Sequence, residues 1–153
     1  MVLSNNAADQ RNVDLSLKLF VVLTRALQSI EKQVVRDIRK HHLNLTEFAV
    51  LELLFHKGSQ PIQKIGQKVL LASSSITYVV DKLEQKKWLV RKASPDDRRV
   101  TLAQLTPDGN RLMEAIFPEH SQAINEIMDV LTADEKQNLI EQLKKLGYHA
   151  ENM

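Results

Sequence analysis

The sequence of 153 residues contains no cysteine, an absence that removes disulfides, thiolate nucleophiles, cysteine-ligated zinc and thiol redox sensing together. With four glycines, four prolines and 5% aromatics it also lacks the turn residues that an all-β protein needs, and its wealth of Leu, Lys, Glu and Gln points to helix. Long apolar runs are missing too. The longest, Leu19 to Leu23, is far below the roughly 18 residues that span a bilayer, and the opening MVLSNNAADQRNVD is polar. The expectation is a cytoplasmic protein with no membrane partner. No glycine-rich phosphate loop, zinc-protease spacing, nucleophile elbow or paired-carboxylate constellation is visible, so no catalytic residue, cofactor or metal ligand is assigned.

Hydrophobic residues at 43% and charged residues at 26% describe a chain that folds around a core, and its length suits one unit. Net charge is only +2, but its distribution says more than its sum. Residues 1–44 carry seven basic and four acidic groups, 45–105 carry ten and six, and 106–153 carry four and nine. A basic middle beside an acidic end is the footprint of a polyanion-binding face, although solvated lysine-rich faces are common.

From Val13 to about His41, Phe20, Leu23, Leu27, Ile30, Val34 and Ile38 fall three or four apart, which predicts one long helix. At about 1.5 Å per residue it runs roughly 40 Å, longer than a small domain covers, so part of its stripe needs a second copy. Thr46 is placed to cap a second helix, Glu47 to about His56, with Leu45 and Val50 as a staple and Gly58 as its stop. Pro61 suits the first turn of a third helix, Leu70–Ala72 a tight turn, and Ser73 to Lys86 a fourth helix burying Ile76, Val79, Val80 and Leu83. Trp88–Val90 and Val100–Leu102 read as a hairpin with a long charged tip. Thr106-Pro107 opens a fifth helix that continues to Thr132 with a kink at Pro118. A capping box from Thr132 to Glu135 starts a last helix, which carries Leu139, Ile140, Leu143 and Leu146 and ends at Gly147.

Three short helices followed by a hairpin form the winged helix-turn-helix plan. A helix that enters the major groove needs small or hydrogen-bonding residues at its N-terminus, and Ser73, Ser74 and Ser75 supply them. Tyr78 and Lys82, one and two turns on, reach toward bases or the flanking backbone. Taken alone, three serines are more often a helix cap. Arg91, Lys92, Arg98 and Arg99 shift the balance by placing positive charge on a protruding ribbon, where an arginine can enter the minor groove and Asp97 can orient Arg99.

The segments Ser75-Ile76-Thr77-Tyr78-Val79-Val80-Asp81-Lys82-Leu83-Glu84, Leu89-Val90-Arg91, Asp97-Arg98-Arg99-Val100 and Leu105-Thr106-Pro107-Asp108-Gly109 resemble, in order and spacing, the MarR family of winged-helix regulators. The resemblance extends over nearly the whole chain. It implies a mainly α fold with a small β-hairpin wing, in which residues 1–153 form one unit. Within it, 45–105 are the DNA-binding part, and 13–44 and 106–150 are dimerisation helices. It further implies a homodimer that binds palindromic double-stranded DNA, represses transcription and is released by a small-molecule effector, often phenolic or quinone-like. Carried over by position, Ser73, Ser74, Ser75, Thr77, Tyr78 and Lys82 face the major groove, while Arg91, Asp97, Arg98 and Arg99 belong to the wing. Leu19, Phe20, Leu23, Leu139, Leu143 and Leu146 are the dimerisation candidates.

One departure is Lys87, where the family pattern usually has glycine. Either it adopts a left-handed conformation or the preceding helix ends differently. Two rival readings stay open: a metal-responsive regulator that uses His41, His42, Glu47, His56 and His120, and a winged helix used only for protein contacts. Phe20, Phe48, Phe55 and Phe117 are candidates for a ligand cleft, although each is more readily core.

Overall fold

The computed structural model describes residues 2–69 and 75–153, with the side chains of residues 2–5 excepted. The order is α1 (Val2–Arg39), α2 (Leu45–Lys57), β1 (Gln60–Pro61), α3 (Ile62–Lys68), α4 (Ile76–Gln85), β2 (Leu89–Ala93), β3 (Thr101–Leu105), α5 (Pro107–Met128) and α6 (Ala133–Glu151). The architecture is mainly helical with one small antiparallel sheet of order β1-β3-β2, the winged-helix arrangement that the sequence predicts. No helix among the described residues is long and apolar enough to cross a membrane.

One core serves the middle of the chain. Val50, Leu51 and Leu54 of α2, Ile65 of α3 and Val79, Val80 and Leu83 of α4 are buried together with Leu89, Ala103 and Leu105 of the sheet. Val34 and Ile38 from the last turns of α1, and Met113 and Ile116 from α5, close over them. Helix α1 is therefore attached to the winged part through its C-terminal half, and α5 along most of its length. The first half of α1 and all of α6 stand away from this core, and α6 has no buried residue.

Several boundaries differ from the sequence reading. Helix α1 begins at Val2 instead of Val13, because Ala7, Ala8, Gln10 and Arg11 favour helix without forming an apolar stripe. The N-cap of α2 is Asn44, not Thr46: its side chain accepts from Glu47 N–H at 2.8 Å, and Glu47 Oε2 accepts from Asn44 N–H at 3.2 Å. This reciprocal box moves the staple positions to Leu43 and Phe48, both buried. Pro61 precedes α3 and pairs with Leu102, forming a short edge strand that the sequence reading lacks. The hairpin strands run further toward the tip and toward α5 than expected, α5 stops at Met128, and it runs as one helix through Pro118. Gly147 does not stop α6, which continues to Glu151; the only described glycine with positive φ is Gly58, at the end of α2. The expected Leu70–Ala72 turn lies outside the described residues.

The turn from α4 into β2 takes the first of the two alternatives posed at Lys87, which has φ 63°. It is held there from three sides. Lys87 N–H donates to Glu84 O at 2.9 Å, its carbonyl accepts from the Thr106 hydroxyl at 2.7 Å, and Thr106 N–H donates to Trp88 O at 3.0 Å. Thr106 is also the N-cap of α5, where its oxygen accepts from Gly109 N–H at 3.0 Å. A Cβ on Gly109 would sit 2.0 Å from Trp88 O, so only glycine permits this approach.

A left-handed conformation costs an L-residue about 1–2 kcal/mol, part of which glycine returns as chain entropy. Lys87→Gly should therefore raise unfolding stability by about 1 kcal/mol, whereas Gly109→Ala should lower it by more than that. Urea denaturation measures both, and a lowered midpoint for Lys87→Gly would contradict the strain assigned to this turn.

Candidate nucleic-acid interface

Helix α4 buries Val79, Val80 and Leu83 and turns the opposite side outward. Ser75, Thr77, Tyr78 and Lys82 are exposed on it. The Lys82 ammonium stands 5.1 Å from the Tyr78 ring centroid, so these two residues, one turn apart, present a single aromatic and cationic unit. Ser75 is the N-cap residue, but its side chain makes no capping bond. Ser73 and Ser74, assigned with it from sequence, lie outside the described residues.

Beside α4 the wing projects as an antiparallel ribbon in which Leu89 pairs with Leu105 and Ala93 with Thr101. Its tip closes through Ser94 N–H to Val100 O at 2.9 Å and Val100 N–H to Asp97 O at 2.9 Å. Asp97 grips Arg99 as the sequence suggested. Arg99 Nε donates to Asp97 Oδ1 at 3.1 Å, Nη2 to Oδ2 at 3.2 Å, and the Arg99 backbone N–H to Oδ1 at 3.1 Å. These bonds, the side-chain ones foremost, hold the Asp97 carboxyl below its ordinary range. The Arg99 side chain is nevertheless 91% exposed: a guanidinium with a fixed base and an open outer face. Arg98, its neighbour at the tip, is exposed as well.

Arg91 is placed differently from the other wing cations. Its guanidinium turns back onto α4, where it meets both Glu84 and Asp81, and its side chain is 27% exposed. Burial alone would lower its affinity for the proton, but the bonds to the two carboxylates outweigh it and the guanidinium pKa is raised. Asp81 and Glu84 were not singled out by the sequence reading. Their signal was available, since residues three apart on one helix lie on one face.

The residues weighed as metal ligands are dispersed among other tasks. His120 Nδ1 lies 3.1 Å from Asp37 Oδ2 in a buried pair that joins α5 to α1. The His56 ring packs edge-on to Phe117 at 4.5 Å, and Glu47 caps α2 while meeting Lys86 Nζ at 3.5 Å. His41 Nε2 is 3.7 Å from Glu119 Oε2. Among the described residues no group of three or more His, Cys, Asp or Glu is placed to hold a metal ion. Of the cleft candidates, Phe48 is core, Phe55 and Phe117 lie 6.0 Å apart beside His56, and Phe20 is 69% exposed on α1, away from them.

The dimerisation candidates are uncovered. Leu19, Phe20, Leu139, Leu143 and Leu146 are exposed, and Leu23 is half-buried. Exposed apolar residues crowd the middle of α1, from Val13 through Leu17, Val21 and Val22 to Leu27.

The MarR family model matches residues 43–101, from just before α2 to the start of β3. The chain is 59% identical over 135 residues to the HTH-type transcriptional regulator MhqR of Bacillus subtilis (strain 168), a match covering 88% of this chain and 93% of that one. Among solved structures, Bordetella bronchiseptica BpsR superposes with a TM-score of 0.71 at 26% identity, covering 82% and 90% of the two chains. That structure is described as a mechanism for regulation of DNA binding by 6-hydroxynicotinic acid. Streptomyces coelicolor Sco3205, a MarR family regulator solved in complex with DNA, shares the fold with a TM-score of 0.74 at 20% identity over 84% and 83%. With its wing, its capped α5 and a close relative matched along nearly its whole length, the chain belongs to the MarR family of transcriptional regulators.

Proposed function

We propose that two copies of this chain bind a palindromic double-stranded operator, repress transcription from it and release it when a small aromatic effector binds. The observation that carries the reading is an exposed helix face and an exposed ribbon tip on two elements that pack against each other. The exposed Tyr78–Lys82 face of α4 suits the major groove, and the Asp97-held Arg99 on the adjacent ribbon suits the minor groove. Ser75 and Thr77, near the N-terminus of α4, approach base edges and phosphates, and Arg98 meets the backbone. Ser73 and Ser74 stay in the proposal on sequence grounds alone.

Dimerisation is supported by the apolar surface left open at both ends of the chain. Phe20 at 69% and Leu139 at 46% exposure belong to two helices whose apolar residues lack a covering partner within the protomer, and so large an exposed apolar surface marks an association site. Residues 13–44 and 106–150 are assigned to this interface, and 45–105 to DNA. The effector rests on the likeness to the BpsR structure, described as regulated by 6-hydroxynicotinic acid, and on the family resemblance to phenol- and quinone-responsive members. A cytoplasmic location follows from the role.

Three outcomes test this reading. A duplex selected from a random pool by the wild-type chain should lose about 1–3 kcal/mol of binding with Arg99→Ala and less with Asp97→Asn, because the latter keeps the charge but loosens its direction. Arg98→Ala should weaken selected and unrelated duplexes alike and flatten the salt dependence by about one unit of slope. Phe20→Asp should dissociate the dimer in sedimentation while leaving the helical circular dichroism of the protomer intact. Failure of the chain to enrich any duplex would end the DNA reading.

A further inference from the structure

The flank of α4 that faces the wing holds a bridge whose geometry suits alignment better than contact with DNA. Arg91 lies on β2, opposite Ala103 of the central strand. Its Nη1 donates to Glu84 Oε1 at 2.7 Å, its Nη2 donates to Asp81 Oδ1, and its backbone N–H donates to Glu84 Oε2 at 3.1 Å. Both oxygens of Glu84 are thus occupied by one residue, through its main chain and its side chain at once. The backbone bond fixes where β2 passes α4, and the guanidinium plane, spanning Asp81 and Glu84 across one turn, fixes the rotation of α4 about that point.

We propose that Arg91, with Asp81 and Glu84, is a positioning device that sets the angle between α4 and the wing, and so determines sequence selectivity. This rests on the assignment of α4 and the wing as the two reading elements. Two grooves of one duplex can be met simultaneously only if helix and ribbon keep a fixed relation, and a small rotation at the base of a ribbon is magnified at its tip, where Arg99 sits. The planar fork of arginine is what the site requires, since a lysine ammonium is a point charge that cannot span two carboxylates in a defined plane. The same contacts screen Asp81 and Glu84, which without Arg91 would present two unpaired negative charges beside a polyanion. Arg91 therefore favours binding without touching DNA.

A phosphate-contacting Arg91 and a positioning Arg91 give opposite results when its partner is neutralised. With a duplex selected by the wild-type chain and one unrelated duplex, each titrated over a range of NaCl, Glu84→Gln and Arg91→Lys should each weaken the selected duplex about tenfold and leave the unrelated one within about twofold. The salt slope should not change, and Arg91→Ala combined with Glu84→Gln should be no worse than Arg91→Ala alone. Tighter or equal binding by Glu84→Gln, or a salt slope flattened by about one in Arg91→Ala, would overturn the proposal. A second measurement needs no DNA. Because the chain has no cysteine, spin labels at Gln85→Cys and Asp96→Cys, both exposed, report the distance from α4 to the wing tip once diluted with unlabelled chain. Arg91→Lys and Glu84→Gln should broaden or shift that distance, and an unchanged distribution would overturn the positioning role. If no duplex is selected while the distance broadens, the DNA reading fails and the alignment function of the bridge stands.

Discussion

A single backbone junction ties the two halves of this protein together: the Thr106 hydroxyl and N–H hold the carbonyls of Lys87 and Trp88 while the same oxygen caps α5. The N-terminus of the long helix α5 is thereby locked to the turn between α4 and β2, with Gly109 pressed against Trp88 O where no side chain fits. Hydrogen bonds of this kind contribute only about 1 kcal/mol each in net stability, so their importance here is geometric. They leave one arrangement of α4, wing and α5 in which every bond is made. The strained Lys87 is the cost of that arrangement, and it persists because the bonds around it over-determine the backbone.

Two polar contacts extend the same logic to α1 and α2. Asp37 and His120 join α1 to α5, with the Phe48 ring 4.4 Å from the imidazole on the α2 side. Glu47 completes the cap of α2 and reaches Lys86 at the end of α4, and Lys86 in turn lies 5.1 Å from the Trp88 ring centroid. Net stability from either contact is modest, yet removing Asp37, His120 or Lys86 leaves a buried polar partner without its hydrogen bond. Such contacts discriminate against near-native packings that an apolar core alone would tolerate. Polar contacts thus link α1 to α5, and link both α5 and α2 to the C-terminal end of α4.

How far the amino-acid order revealed this depends on the range of the interaction involved. Local features were legible: the stripe of Val79, Val80 and Leu83, the Thr132–Glu135 capping box, the Asp97–Arg99 pair and the block around Gly109 all lie within a few residues, where helical and turn periodicities act. The start of α1 was not, because a helix of alanine and polar residues carries no stripe for periodicity to detect. Thr46 and Asn44 are both able to cap, and the choice between them was settled by Glu47, whose reach back to residue 44 fixes the register. Edge strand β1 exists only because β3 lies beside it, and two residues hold no period. The contacts of Arg91 were hidden for the same reason. Counted along the chain it is one of four wing cations, and only the fold brings it against carboxylates seven and ten residues away.

Those contacts alter the electrostatics of this segment. Residues 45–105 carry ten basic and six acidic side chains, which reads as a modest excess spread along the segment. Once folded, Arg91 is paired with Asp81 and Glu84, and Lys86 meets the buried Glu47, so opposite charges are paired along α4 and at its C-terminal end. Lys82, Arg98 and Arg99 remain outward on α4 and the tip, and Arg99 is held by a carboxylate that fixes its direction without covering its outer face. A uniformly basic surface would bind any duplex through phosphates alone, with no preference among sequences. Pairing charge near the core while exposing a few oriented cations at the periphery limits that sequence-independent attraction and leaves proportionally more of the interaction to contacts that depend on where α4 and the wing point.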